Sequence, residues 1–276
     1  MNIINYLDSI DIIYWINLDR SEKRRKNMET ILKKINKKNE RIPATDGKNI
    51  SDEELYNNFK FLGEKNASKI EYSCLLSHLR TIQKFSESNY NIALILEDDL
   101  SLEYSKYWDK KISEIIKGAP EDWEIIMLNY VTLKPLEELY TKNENGFINC
   151  AGSYLINKKA VQKFMKNTYI DKKFVLKSHK SNTADNYIFS ELITYTYKYP
   201  YFTYPKENES TIHNEHILYH NTSKYVANST WGDKYKLPIY LENLYFIIKL
   251  KEIIIIIIIT FILIKILKTK KIKTNK

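Results

Sequence analysis

The stretch Ala93-Leu94-Ile95-Leu96-Glu97-Asp98-Asp99-Leu100 joins an apolar run directly to three consecutive carboxylates. An apolar run of this length predicts a β-strand that is buried on both faces. Three adjacent acids repel one another, so a nearby cation would offset their charge, and oxygen ligands suit Mg²⁺ and Mn²⁺. Alternation along a strand would place Glu97 and Asp99 on one side and Asp98 on the other. The alternative interpretation is a solvated acidic turn after a core strand.

Strands and helices alternate on both sides of this stretch, which predicts an α/β sandwich with a mostly parallel central sheet. There is neither a GxGxxG motif nor a P-loop, which disfavours a dinucleotide-binding fold and a P-loop NTPase. We predict strands over residues 12–18, 93–97, 124–129, 152–156 and 194–204, and a further short strand that begins at residue 41. We predict helices over residues 21–38, 51–59, 72–85, 108–116 and 157–164, and a further helix that begins at residue 184.

The positive charge of the chain is concentrated at its C-terminal end. The net charge is +9 over 276 residues, and residues 244–276 hold eight lysines and one acid, Glu252. The remainder is nearly neutral, which argues for a basic tail and against a basic nucleic-acid-binding face. Two cysteines do not make a disulfide framework, and the first sixteen residues lack the basic start of a signal peptide.

Two further groups of residues carry possible chemistry. Arg20, Arg24 and Arg25 follow the first strand, at a strand-to-helix junction where ligands usually bind, and could hold a diphosphate. Cys74 and His78 lie four residues apart on one helix face. A zinc site needs more ligands than this pair, so a packed cysteine beside a hydrogen-bonded histidine is the favoured interpretation.

Taken in order, several motifs make the chain resemble glycosyltransferase family 25, over about residues 11–213. The family usually has a glycine where this chain has Ser73. The motifs are Ile16-Asn17-Leu18 with its arginine-containing helix, Ala44-Thr45-Asp46-Gly47, Cys74-Leu75-Leu76-Ser77-His78, Leu96-Glu97-Asp98-Asp99, Asp122-Trp123-Glu124-Ile125-Ile126, Gly152-Ser153-Tyr154-Leu155-Ile156, Asp185, and Ser210-Thr211-Ile212.

The resemblance implies a GT-A-type nucleotide-sugar-binding fold and an inverting, metal-dependent sugar transfer, commonly from UDP-galactose. Asp99 would ligate Mn²⁺ (or Mg²⁺) at the donor diphosphate, Glu97 would act through water, and His213 is a further possible ligand. The nucleotide side of the site would include Asn17, Arg24, Asp46, Ser77, His78 and Asp98, with Asp98 at the ribose. Asp185 is the expected general base and Asp46 the reserve. The acceptor would be a glycan, a lipid-linked glycan or a hydroxylated protein.

The C-terminal segment departs from this pattern, so we divide the chain into a catalytic domain, residues 1–236, and a tail, residues 237–276. Residues 253–264 carry no charge and would span about 18 Å as a helix, against a hydrocarbon core of about 30 Å. Six lysines from Lys265 onward favour anionic headgroups. We expect a short membrane anchor that leaves the catalytic domain cytosolic. The alternative is a low-complexity tail.

Two other functions remain open at this point. A metal-dependent phosphotransferase or nuclease would require a second acidic cluster, and none is obvious in the sequence. A membrane-tethered, non-catalytic relative that binds nucleotide sugar or glycan is compatible with Ser73, although the intact acidic triplet argues against it.

Overall fold

The computed structural model describes residues 3–132, 135–144, 148, 150–177, 182–204 and 216–235, the last range without the side chains of 216–220. The chain divides into two compact units, Met1–Ala227 and Asn228–Lys276. The strands are β1 (Ile12–Asn17), β2 (Asn39–Pro43), β3 (Phe59–Phe61), β4 (Ile92–Glu97), β5 (Ile125–Met127), β6 (Tyr140–Lys142), β7 (Ser153–Asn157), β8 (Tyr169–Ile170), β9 (Lys173–Leu176) and β10 (Thr194–Tyr197). The helices are α1 (Glu22–Ile35), α2 (Asp52–Asn58), α3 (Lys69–Glu87), α4 (Ile112–Gly118), α5 (Lys158–Thr168), α6 (Ala184–Glu191) and α7 (His216–Tyr235).

The large sheet has the strand order β2-β1-β4-β7-β5-β10-β6. β1 runs parallel to β2 and β4, and β10 runs parallel to β5. β7 lies between β4 and β5 and is antiparallel to both, and β6 is antiparallel to β10. The α/β prediction is confirmed, but the expected mostly parallel sheet was wrong, because half of these pairings are antiparallel.

Apolar side chains fill the sheet on both faces. β1 is buried throughout, and the four central residues of β4 are buried as well. This confirms the prediction that the run before the acidic triplet is a core strand. One face packs against α3, α5 and α6, where residues such as Tyr14, Ile95, Leu79 and Val161 form a continuous cluster. The site described below therefore rests on a rigid, close-packed layer.

Local sequence patterns account for most helix boundaries. α1 forms where a helix was predicted and buries one apolar face, and Asn36 ends the helix in a left-handed conformation. Ser68 and Glu71 form a capping box that starts α3. The Asn157 side chain accepts a hydrogen bond from the backbone N–H of Ala160 and starts α5, as predicted. α4 begins at Ile112 rather than at residue 108, because a 3₁₀ turn at Ser105–Tyr107 precedes it.

The structure contains elements that the sequence pattern did not predict. β3, β9 and β8 form a second, three-stranded sheet in which β3 is parallel to β9. Phe59 begins β3, although we expected it to end the preceding helix. β6 lies within residues 131–147, where the sequence analysis predicts neither a strand nor a helix. These strands are two to four residues long, too short for a periodicity argument to identify.

Candidate functional site

The acidic triplet lies at the carboxyl end of β4, in the interior of the large sheet. Glu97 is the last residue of the strand, and its backbone N–H donates to the carbonyl of Gly152 at 2.9 Å. Asp98 and Asp99 occupy the turn that follows and are 7% and 8% exposed. The solvated acidic turn that we considered as an alternative is therefore not what forms. A largely buried pair of carboxylates requires compensation by nearby groups.

The parallel register of β1 and β4 places Asn17 beside this turn. Ile16 is aligned with Glu97, and the next residue, Asn17, donates from Nδ2 to Asp98 Oδ2 at 2.5 Å. The Oδ1 atom of Asn17 accepts hydrogen bonds from Arg25 Nε at 3.1 Å and Arg41 Nε at 2.9 Å. Asn17 thus links the triplet to two arginines. Sequence reasoning missed Arg41, although its place in the strand adjacent to β1 could have identified it.

Arg24, in the first turns of α1, contacts both aspartates through one nitrogen. Its Nη1 lies 3.0 Å from Asp98 Oδ1 and 3.3 Å from Asp99 Oδ2. We expected the side chains of Asp98 and Asp99 to point to opposite sides. This was wrong, because the strand ends at Glu97 and the alternation of side chains does not continue into the turn. Burial alone would lower the pKa of Arg24, but the charges of Asp99 and Asp98 raise it overall. The guanidinium therefore stays charged.

One arginine does not neutralise three carboxylates. Burial, followed by the charge of Glu97, raises the pKa of Asp99 to about 8. Burial also raises the pKa of Asp98, against the opposing effects of Arg24 and Asn17. Ionisation of Asp99 is therefore unfavourable in this turn, and a nearby added cation would favour it. The roles of Glu97 and Asp99 as ligands of a divalent ion stay predictions, and Asp98 is bonded to both Asn17 and Arg24.

His78 and Cys74 reach the triplet from α3. His78 Nε2 lies 3.2 Å from Glu97 Oε1, and its Nδ1 lies 3.1 Å from the hydroxyl of Tyr154. Cys74 Sγ lies 4.0 Å from the same Glu97 oxygen. The histidine is fully buried and hydrogen-bonded, as the sequence analysis favoured. Tyr154, which faces His78 from β7, was missed because nothing local in the sequence ties β7 to α3.

Two other predicted site residues have structural partners. Ser77 is buried, accepts from the backbone N–H of Thr45 at 2.9 Å and donates to the carbonyl of Ser73 at 2.7 Å. The Asp46 carboxylate accepts from Arg20 Nε at 2.8 Å, and this hydrogen bond lowers the pKa of Asp46. Both residues hold the turn that precedes α2 against the rest of the domain. Their roles in nucleotide binding stay predictions.

Asp185 lies in the first turn of α6. Its Oδ1 accepts from Thr183 Oγ1 at 2.7 Å and its Oδ2 from the backbone N–H of Cys150 at 3.2 Å. Burial raises the pKa of Cys74 well above its usual value, and the charges of Glu97, Asp185 and Asp99 raise it further. The Cys74 thiol is therefore within electrostatic range of Glu97, Asp99 and Asp185, although Asp185 lies 86 positions after Asp99 in the chain.

Several predictions concern residues outside those that the structure describes. These are His213 as a metal ligand, the Ser210-Thr211-Ile212 motif, and the tail over residues 237–276 with its expected membrane anchor. Within the described ranges, no helix combines the length and apolar character that crossing a membrane requires. The predicted domain boundary at residue 236 also stays a prediction.

Comparison with known proteins identifies the family. Residues 10–188 match the family model described as glycosyltransferase family 25 (LPS biosynthesis protein), which covers well over half of the chain. A "Glycosyltransferase 25 family member" from Aedes aegypti is 26% identical over 175 residues, which make up 58% of this chain and 28% of that protein. One from Drosophila melanogaster is 29% identical over 156 residues, or 53% of this chain and 25% of that protein. The matched region thus spans about a quarter of the length of these curated relatives.

A solved structure, of a glycosyltransferase involved in the glycosylation of the major capsid of PBCV-1, aligns with 60% of this chain and 80% of that one. The alignment has a TM-score of 0.32 and 10% sequence identity, values too low to establish a shared fold. The assignment therefore comes from the sequence match, whose residues 10–188 include Asn17, Arg24, the acidic triplet and Asp185. On that evidence, the chain belongs to glycosyltransferase family 25.

Proposed function

We propose that this chain is a GT-A-type, metal-dependent, inverting glycosyltransferase that moves a sugar from a UDP-sugar to an acceptor hydroxyl. The observation that carries the proposal is the buried acidic turn after β4, where Asp99 has its pKa raised to about 8 by burial and by Glu97. A buried carboxyl whose ionisation is unfavourable would be stabilised as a carboxylate by a divalent cation of the Mn²⁺ or Mg²⁺ type. Family membership supports glycosyl transfer as the chemistry.

Glu97 and Asp99 would hold the ion. When bound, the ion would supply Lewis-acid stabilisation of the charge that develops on the leaving UDP. Arg24, already charged and in contact with both aspartates, adds a fixed positive charge on the diphosphate side. Asn17 holds Asp98 in place through the 2.5 Å hydrogen bond, so that Asp98 can accept from the ribose. The two arginines bonded to Asn17 keep this amide in one orientation.

Asp185 is the proposed general base. As the acceptor oxygen bonds to the anomeric carbon and the bond from that carbon to the diphosphate breaks, the hydroxyl proton passes to the Asp185 carboxylate. Hydrogen bonds from Thr183, the Asn186 backbone and the Cys150 backbone fix the orientation of this carboxylate. Asp185 also lies in the first turn of α6, at the end of the helix where the dipole is positive. Attack opposite the leaving group inverts the anomeric configuration.

The proposal also names a donor sugar and a class of acceptor. UDP-galactose is the donor that the family resemblance suggests, and the description of the matching family model favours a lipid-linked glycan as acceptor. A hydroxylated protein is the other acceptor class to test.

Membrane association through residues 244–276 is a separate proposal, tested by deleting that segment. Unchanged partition of the deletion variant between membrane and supernatant would refute it.

The test is hydrolysis of a panel of nucleotide sugars by the full chain, with and without Mn²⁺ and without an acceptor. We expect Mn²⁺-dependent release of UDP from one donor. Asp99→Ala should abolish this release and its metal dependence, whereas the control Asp52→Ala, at an exposed position in α2, should retain it. Absence of both UDP release and donor binding for every sugar would refute the proposal. Metal-dependent binding without turnover would indicate the non-catalytic alternative.

A second variant separates the base from the metal site. Asp185→Asn keeps the shape and most hydrogen-bonding capacity of the side chain but cannot take up the proton. We expect donor binding, measured by calorimetry, to match that of the unaltered chain while transfer to the acceptor is lost. Full turnover by Asp185→Asn would remove this residue from the role of base and leave the rest of the proposal standing.

A further inference from the structure

Three side chains with metal-binding atoms converge beside the acidic turn. Cys74 and His78 lie one turn apart on α3, and Glu97 ends β4. His78 Nε2 is 3.2 Å and Cys74 Sγ is 4.0 Å from Glu97 Oε1, and the three ligand atoms all lie within 4.8 Å of one another. We propose that Cys74, His78 and Glu97 form a site for a thiophilic divalent ion, Zn²⁺, that is distinct in its ligand set from the Glu97–Asp99 site.

The spacing suits tetrahedral zinc. Zinc binds thiolate sulfur at about 2.3 Å and nitrogen or oxygen at about 2.0–2.2 Å, so two ligand atoms on one ion lie about 3.3–3.8 Å apart. The separations of 3.2 and 4.0 Å from Glu97 Oε1 need adjustments of a few tenths of an ångström, and the separation of Cys74 from His78, which is within 4.8 Å, needs a closing movement of at most about 1 Å. Three protein ligands leave a fourth position open, a pattern typical of zinc sites that interact with water or with a small ligand.

The surroundings of His78 favour metal binding through Nε2. The Tyr154 hydroxyl lies 3.1 Å from Nδ1, so Nδ1–H can donate to it while the Nε2 lone pair faces Cys74 and Glu97. The two rings also stack, with centroids 5.9 Å apart and an interplanar angle of 26°. A hydrogen bond to the second ring nitrogen is what fixes the tautomer of most metal-binding histidines.

An ion can reach this site from one side. The His78 side chain is 1% exposed, whereas the Glu97 side chain is 25% exposed and Cys74 is half-buried. Helix and strand positions hold the three residues more firmly than loops would. The chemistry of the ligands selects the ion, since thiolate and imidazole favour Zn²⁺ and carboxylates alone favour Mn²⁺ or Mg²⁺. The sequence disfavoured zinc because it offered only Cys74 and His78, and the fold adds Glu97 as the third ligand.

The experiment uses Co²⁺ as a spectroscopic probe for the zinc site in the full chain, with no nucleotide sugar present. We expect saturation at one equivalent with a thiolate-to-cobalt charge-transfer absorption, which Zn²⁺ then displaces. The Cys74→Ser variant should lose this absorption, and the matched control Cys150→Ser, which removes the other free thiol, should retain it. Tyr154→Phe should weaken Co²⁺ binding about tenfold or more, because it removes the partner of Nδ1.

The absence of a charge-transfer band in the unaltered chain would overturn the proposal, whatever the variants do. A band that survives Cys74→Ser in a variant with a native circular dichroism spectrum would overturn it as well. Asp99→Ala distinguishes this proposal from the proposed function, since it should abolish Mn²⁺-dependent UDP release and retain the cobalt band. Loss of UDP release with an intact cobalt band would leave the zinc site standing.

Discussion

Replacing Asp99 by asparagine should stabilise the folded chain at neutral pH. Burial and the charge of Glu97 raise the pKa of Asp99 to about 8, whereas its value in the unfolded chain is near 3.8. A carboxyl with a raised pKa in the folded state destabilises the fold as the pH rises from about 4 to about 8. From these two values, the cost is about 4 kcal/mol at pH 7 and about 2 kcal/mol at pH 5.

Asparagine has the shape of the protonated aspartic acid but carries no charge, so Asp99→Asn removes this cost. The amide hydrogen-bonds less well than the carboxyl at this position, and we allow about half of the 4 kcal/mol for that loss. The expected gain at pH 7 is then about 2 kcal/mol in the free energy of unfolding. For a domain of this size, that corresponds to a rise in Tm of about 4–8 °C. Sites built for function commonly carry such a stability cost.

The measurement is thermal and urea denaturation of Asp99→Asn and the unaltered chain at pH 7 and pH 5, in EDTA to keep divalent ions away. The gain should nearly vanish at pH 5, because the cost of about 2 kcal/mol at that pH is about equal to the allowance for weaker hydrogen bonding. Asp52→Asn, in which an exposed aspartate paired with Lys69 is neutralised, serves as the control and should change Tm little. A lower Tm for Asp99→Asn at pH 7, or a gain that does not depend on pH, would refute the reasoning.

Three further variants test the structural roles of other residues. Lys158→Met should lower the free energy of unfolding by about 1–2 kcal/mol, because its ammonium group donates to C-terminal carbonyls of α3, and an unchanged urea midpoint would contradict this. Gly47→Ala should lower Tm far more than Gly118→Ala, because a Cβ at residue 47 would lie 2.5 Å from a backbone Cα of α3, and equal losses would contradict it. Ser77→Ala should cost about 1–2 kcal/mol by leaving the Thr45 N–H without this partner, and an unchanged urea midpoint would contradict this. Donor affinity of this variant, measured by calorimetry, separately tests the predicted place of Ser77 in nucleotide binding, which unchanged affinity would refute.

The sequence predicted the elements whose patterns are local. The predicted strand β1 and the predicted helices α1 and α5 each depend on patterns within a few residues, and each is confirmed. The proximity of Asn17 to the acidic turn could also be anticipated, because the carboxyl ends of parallel strands lie at one edge of a sheet. The short strands of the second sheet could not be predicted. A strand of two to four residues has too few positions to show an alternation of apolar and polar side chains.

By itself, the sequence therefore determined the identity of the central strand, the acidic triplet at its end and the family to which the chain belongs. Only the tertiary structure decided which side chains share that end of the strand. It inserts β7 antiparallel between β4 and β5, joins Cys74 and His78 to Glu97, and ties Ser77 to a backbone N–H. The physical reason is that these contacts join residues 19 to 76 positions apart. Their formation depends on how helices and strands pack, and no local pattern in the chain encodes that packing.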